Sequence, residues 1–185
     1  MVRCGSKQPY EPLSVCTIFI RRNDMLILFE GLICCLIVLL SCVIGIANGP
    51  VNMVFFYDQK VQDRVVELGL TDKDRIRRNC NIFKYCGILP YFVFVVISVY
   101  FINKARGFLE PFIQMTVILL IEGIFDRIFI DWYWVNHTKA WDIEGTEDLK
   151  PYIDNAAMMK KCIGTIVGFP LIAATLSFAL RFIIK

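Results

Sequence analysis

With 57% hydrophobic residues and a mean hydropathy of +0.58, this 185-residue chain exceeds the roughly 45–50% apolar content of soluble domains, which argues against an ordinary water-soluble fold. Its length suits one compact domain, and a net charge of +3, scattered along the chain, argues against nucleic acid as a partner. The eight cysteines (Cys4, Cys16, Cys34, Cys35, Cys42, Cys80, Cys86, Cys162) show no C-x-x-C spacing, and three lie in the first apolar run, where a thiol behaves as a small hydrophobe. A vicinal Cys34–Cys35 redox pair is disfavoured because consecutive helical side chains diverge by about 100°.

Residues 1–24 mix charges with Pro9, Pro12 and a short apolar patch, Val15 to Ile20, and are predicted to form a cytoplasmic arm at the membrane interface. Residues 25–185 are then a single transmembrane domain with spans at about 26–47, 85–102, 112–134 and 162–182. The first run is too long for a signal-peptide h-region of about 7–15 residues and has no A-x-A-like site after it, so it is predicted to be retained. Arg21 and Arg22 before it, with no charge after it until Asp58, predict a cytoplasmic N-terminus in the plasma membrane. Glu30 lies about one turn inside, where it either reaches headgroup water or pairs with Arg127.

Gly45 and Gly49 form a weak G-x-x-x-G, and Gly49-Pro50 ends the helix. The apolar Val51 to Tyr57 is too short to cross and is predicted to lie at the interface or fold back over the bundle. Val61, Val65 and Leu68 share one face of a first amphipathic helix, stopped by Gly69. Thr71-Asp72-Lys73-Asp74 resembles a capping box with Thr71 as N-cap, opening a second amphipathic helix. Its Arg75, Arg77 and Arg78 either hold anionic lipid headgroups or form a solvated face.

The second span carries Pro90 near its start, and the link 103–111 is short enough to make its flanking helices antiparallel neighbours. The third span is the unusual one. Glu122, Asp126 and Arg127 cost about 2.5–3.5 kcal/mol each near a bilayer centre and roughly cancel the apolar gain, so this helix is expected to turn its charges away from lipid. At 100° per residue Glu122, Asp126, Phe129, Tyr133 and His137 form one stripe, while Arg127, Asp131 and Trp134 form the next. Two carboxylates one turn apart in a dry site repel, so one takes up a proton or a cation. A satisfied internal network centred on Arg127–Asp131 is the structural alternative. Trp132, Trp134 and Trp141 are expected in an interfacial aromatic belt. His137 is the sole histidine, so neither a metal site nor a cofactor is expected. Asn136-His137-Thr138 matches a glycosylation sequon but lies too near the membrane to serve as one. The fourth span carries Lys160 and Lys161 before it, a Gly164-x-x-x-Gly168 strip and a kinking Pro170.

Gly49-Pro50-Val51-Asn52-Met53-Val54-Phe55-Phe56-Tyr57, Glu67-Leu68-Gly69-Leu70-Thr71, Ile130-Asp131-Trp132-x-Trp134, His137-Thr138-Lys139 and Gly145-Thr146-Glu147-Asp148 together resemble a group of short, uncharacterised bacterial multi-pass membrane proteins. The resemblance implies the four-helix topology and assigns no catalytic residue. The expected fold is therefore all-α, a polytopic four-helix membrane bundle with interfacial amphipathic helices in the first loop. The expected function is proton-coupled transport of a small solute, or a permease-like component, with Glu122 and Asp126 protonatable and Arg127 as their partner. Two alternatives remain: an accessory subunit working as a homo-oligomer or in a larger membrane complex, and a membrane-embedded enzyme in which Arg127 or Arg78 holds a lipid phosphate.

Overall fold

The computed structural model describes the backbone of residues 13–183 and the side chains of 25–183; residues 1–12 of the expected arm lie outside it. The described residues are overwhelmingly helical and include no strand, so the fold is all-α. Three helices are long and apolar enough to cross a membrane: Met25–Ile46, Lys73–Ile102 and Asn155–Leu180.

The first helix, α1 (Leu13–Ile46), runs without a break at residue 24 and ends before Gly49, whose φ of 101° only glycine adopts readily. A 3₁₀ turn, Pro50–Phe56, then folds back over the bundle and buries Met53 and Val54. Helix α2 (Gln59–Glu67) buries Val61 and Val65, whereas Leu68 caps its end and is 47% exposed, off the face expected for it.

Helix α3 (Lys73–Ile102) joins the second amphipathic segment directly to the second span, with π-helical turns at Lys84–Ile88 and Ser98–Ile102. Its N-cap is Asp72 rather than Thr71: the Asp72 carboxylate accepts from the Arg75 backbone N–H at 2.8 Å. Helix α4, residues 109–135, joins α-helical Leu109–Phe125 to π-helical Asp126–Val135. Helix α5 (Asn155–Leu180) begins well before residue 162, because Asp154 accepts from the Ala157 N–H at 2.6 Å and starts the helix there.

Side-chain neighbours give the directions. Gly31 sits against Ile121 and Cys42 shares a cavity with Asp126, so α1 and α4 run parallel; Ser41 beside Gly87 with Glu30 at Asn103, and Gly123 beside Thr165 with Asp131 at Lys161, make α3 and α5 antiparallel to them. The bundle is up-down-up-down. The 103–108 turn and the C-terminal end of α5 share one face, and the two longer connections meet at the other. There Tyr57 stacks on Tyr152 at 4.8 Å and donates to the Trp141 carbonyl at 2.7 Å, while Arg64 reaches Asp148 at 3.3 Å. Asn136 clamps Ile153 by donating to its carbonyl at 3.0 Å and accepting from its N–H at 3.1 Å, which occupies the sequon asparagine.

Trp141 is fully buried in this cap, edge-on to Trp134, because the 139–141 turn folds inward, so it is no belt residue, whereas Trp132 is 54% exposed. Outward, α1 presents Leu28, Leu32, Leu36 and Leu40, and α5 presents Ile163, Val167 and Leu171. An apolar exterior of this kind is compatible with a membrane or a partner surface covering it.

Candidate functional site: a charged chain beside an unpaired carboxylate

Helix α4 lies between α1 and α5 and divides cleanly into faces. Ile113, Val117, Ile124, Ile128 and Trp132 point outward, whereas Gln114, Glu122 and Asp131 are buried. Gly123 makes this placement feasible: a Cβ there would come within 2.4 Å of Thr165 and 2.6 Å of Phe169, so glycine lets α4 and α5 approach closely.

The polar stripe expected from a regular 100° step does not persist past Asp126. In the π-helical stretch the backbone bonds i to i+5, so each turn takes up more residues and the inward face passes from Asp126 to Ile130 and Asp131 and then to Val135. Tyr133 is consequently half exposed and is not part of the internal site. His137 is also outside it, its Nδ1–H donating to the Trp132 carbonyl at 2.6 Å.

Within the site, Arg127 forks between the carboxylates of Asp126 and Asp131. Lys161, from α5, donates to the other oxygen of Asp131 at 3.1 Å. These four groups balance in charge. Asp131 receives both cations because it is nearly sealed, with a side chain only 5% exposed, and a buried carboxylate without partners is very costly. Sequence reasoning passed over Lys161, which reads as an ordinary anchor ahead of a span until Asp154 is seen to start the helix two turns earlier.

Glu122 stands apart. It is 3% exposed and makes no hydrogen bond or ion pair among the described residues. Instead it lines a cavity of about 240 Å³ with Asp126, Arg127, Cys42, Tyr91 and Phe169. A water occupies about 30 Å³ in the liquid, so the space admits several waters or one small solute. The Nε–H of Arg127 is buried and unpartnered, leaving a donor available at the same site. Arg78, exposed at the start of α3, is not a wall of this cavity.

Glu30 belongs neither to the Arg127 site nor to the headgroup water. It is 2% exposed and accepts from Asn103 at 2.9 Å, and the same Asn103 amide also reaches Gln114 at 3.0 Å. The up-down order carries Glu30 to the 103–108 end of the bundle while Arg127 lies toward the cap. At the cap end of α3, Arg75, Arg77 and Arg78 are all exposed, with Arg75 donating to Asn52 Oδ1 at 3.4 Å. Gly164 and Gly168 have nothing within 4 Å of an added Cβ, so that strip faces outward rather than into the bundle. The described cysteines are free thiols, and no cluster of three or more metal-ligating side chains occurs among the described residues.

Fold and site together define a class: a small all-helical bundle with three apolar helices around a fourth that carries its charges inward. No family model, curated protein or solved structure matches this chain.

Proposed function

We propose that this chain is a four-span integral membrane protein that carries protons through a bundle interior in which Glu122 is the loading group. The observation that carries the reading is Glu122 itself, a buried carboxylate without a partner, facing a cavity, beside four charges that already satisfy one another. A carboxylate so placed is neutralised by whatever enters, proton or cation, and intramembrane ionisable groups mark transport paths by default. Helix α4 counts as the fourth span in this proposal because its charges face α1, α3 and α5 and its outward stripe is apolar.

The test is proton entry into liposomes holding a trapped pH dye under an imposed potential. The wild-type protein is expected to acidify the lumen and Glu122→Gln to reduce the rate to that of empty vesicles. Equal rates for the two proteins would overturn the assignment.

For orientation, Arg21 and Arg22 favour a cytoplasmic N-terminus, whereas the cap face gathers Lys60, Arg64, Lys73 and Arg75; the transport proposal holds in either orientation. The outward Gly164–Gly168 strip favours one second reading, a subunit that associates through α5. Light scattering of the purified protein decides it, since a monomer in mild detergent removes self-association.

A further inference from the structure

A second cavity, about 620 Å³ and so larger than the Glu122 site, is a groove between the cap ends of α1 and α3. Its chemistry changes with depth. At the rim lie Asn48, Asn52, Arg75 and Asn79, immediately past the apolar stretch that ends at Ile46. Below them the walls are Ile44, Met53, Ile82 and Phe83, reaching Ser41 and Gly87 at the floor. Seven residues from Asn48 to Ser41, at about 1.5 Å each, make the groove roughly 10 Å deep.

Glycines hold it open. A Cβ at Gly45 would strike the Met53 sulfur at 2.4 Å, and one at Gly87 would press on Phe83 and Ser41 at 3.2–3.3 Å. The rim is rich in donors and carries one formal charge. Arg75 is the only ionisable wall residue besides Cys86, and it spends a single N–H on Asn52 Oδ1. Asn79 donates to the Asn52 carbonyl at 3.1 Å and Asn52 to the Asn48 carbonyl at 3.1 Å, so each amide keeps one N–H free. Of the two carboxylates close by in sequence, Asp72 is already engaged as the cap of α3, and Asp74, next to Arg75, lines a separate hollow with Arg77 and Arg78 rather than this groove.

We propose that this groove binds one anionic phospholipid, with its phosphate on the Arg75 guanidinium and the Asn52 and Asn79 amides, and an acyl chain descending between Ile44 and Ile82. Positive charge at the interface and an apolar channel beneath it complement the two ends of such a molecule and of no wholly polar ligand. Arg77 and Arg78 do not line the groove, so of the three arginines only Arg75 is assigned to the headgroup. The floor residues Ser41, Phe83 and Gly87 also wall the Glu122 cavity, so the chain ends against its partition.

The test uses delipidated full-length protein in detergent, titrated with phosphatidylglycerol or phosphatidylcholine and read by native mass spectrometry. Phosphatidylglycerol is expected to be retained at least fivefold better, and Arg75→Gln to remove roughly that preference while Arg77→Gln keeps it. Equal retention of the two lipids, or equal losses in the two variants, would overturn the proposal in favour of nonspecific surface attraction. In the wild-type protein Cys86, an exposed wall residue, supplies a readout that needs no variant. Peptide-mapped maleimide labelling of Cys86 is expected to slow with phosphatidylglycerol and not with glycerol phosphate. Unchanged labelling with the lipid, or equal protection by glycerol phosphate, would count against a seated chain. These readouts do not involve Glu122, so the two proposals fail separately.

Discussion

Lys161 and Asp131, thirty residues apart, meet at 3.1 Å between α5 and α4, and their contact joins the last helix to the charged one. Removing one partner strands the other. Asp131→Asn is expected to lower stability by about 3 kcal/mol, since a buried charge then lacks its counterion. The double variant Asp131→Leu/Lys161→Leu should recover part of that loss. Thermal unfolding in detergent reads both, and additive losses would contradict a direct pair.

Glu122→Gln is expected to behave in the opposite way. Because Glu122 has no partner to lose, its neutral isostere should leave the unfolding temperature unchanged or raise it, even as proton entry stops. A destabilised Glu122→Gln would show that the carboxylate is structural.

The close approach of α4 and α5 depends on Gly123. Gly123→Val is expected to cost about 1–3 kcal/mol by forcing Thr165 and Phe169 aside, whereas Gly164→Ala and Gly168→Ala should stay within about 0.5 kcal/mol. The same unfolding assay separates them.

Tyr57 fastens the cap, and burial raises its phenol above the ordinary 10.0. The neutral phenol is thus the form the fold favours. Its contribution is complete below about pH 10 and is lost as pH rises further. Tyr57→Phe is expected to cost about 1–2 kcal/mol by leaving the Trp141 carbonyl unpaired, and to remove that alkaline dependence, measured by near-UV circular dichroism.

The four crossings proposed above require the 103–108 turn and the 142–148 loop to lie on opposite sides. Single cysteines replacing Lys104 and Glu144, in a protein whose native cysteines are changed to serine, are expected to react with an impermeant thiol reagent from opposite faces of sealed vesicles. Labelling from one face would reduce the number of crossings to three.

Local chemistry was legible wherever it was decided locally. The break at Gly49-Pro50, the amphipathic face of α2 and the apolar runs of α1, α3 and α5 follow from backbone freedom and hydropathy over a few neighbouring residues. The inward turn of Glu122 follows from insertion cost. Tyr133 illustrates the limit: its face depends on a π-helical stretch that a fixed 100° step does not anticipate. Glu30 illustrates another, because its partner Asn103 is chosen by the order in which helices pack.

What the amino-acid order determined by itself is an all-helical, membrane-suited chain with one helix too charged to face lipid, since hydropathy and charge add along a segment regardless of its neighbours. Tertiary structure alone decided that Lys161 completes the Asp131 site, that Trp141 belongs to a cap, and that Glu122 is left facing a cavity. Those outcomes depend on which helix faces which, and a carboxylate's state in a dry interior is set by the cations that packing brings within hydrogen-bond reach.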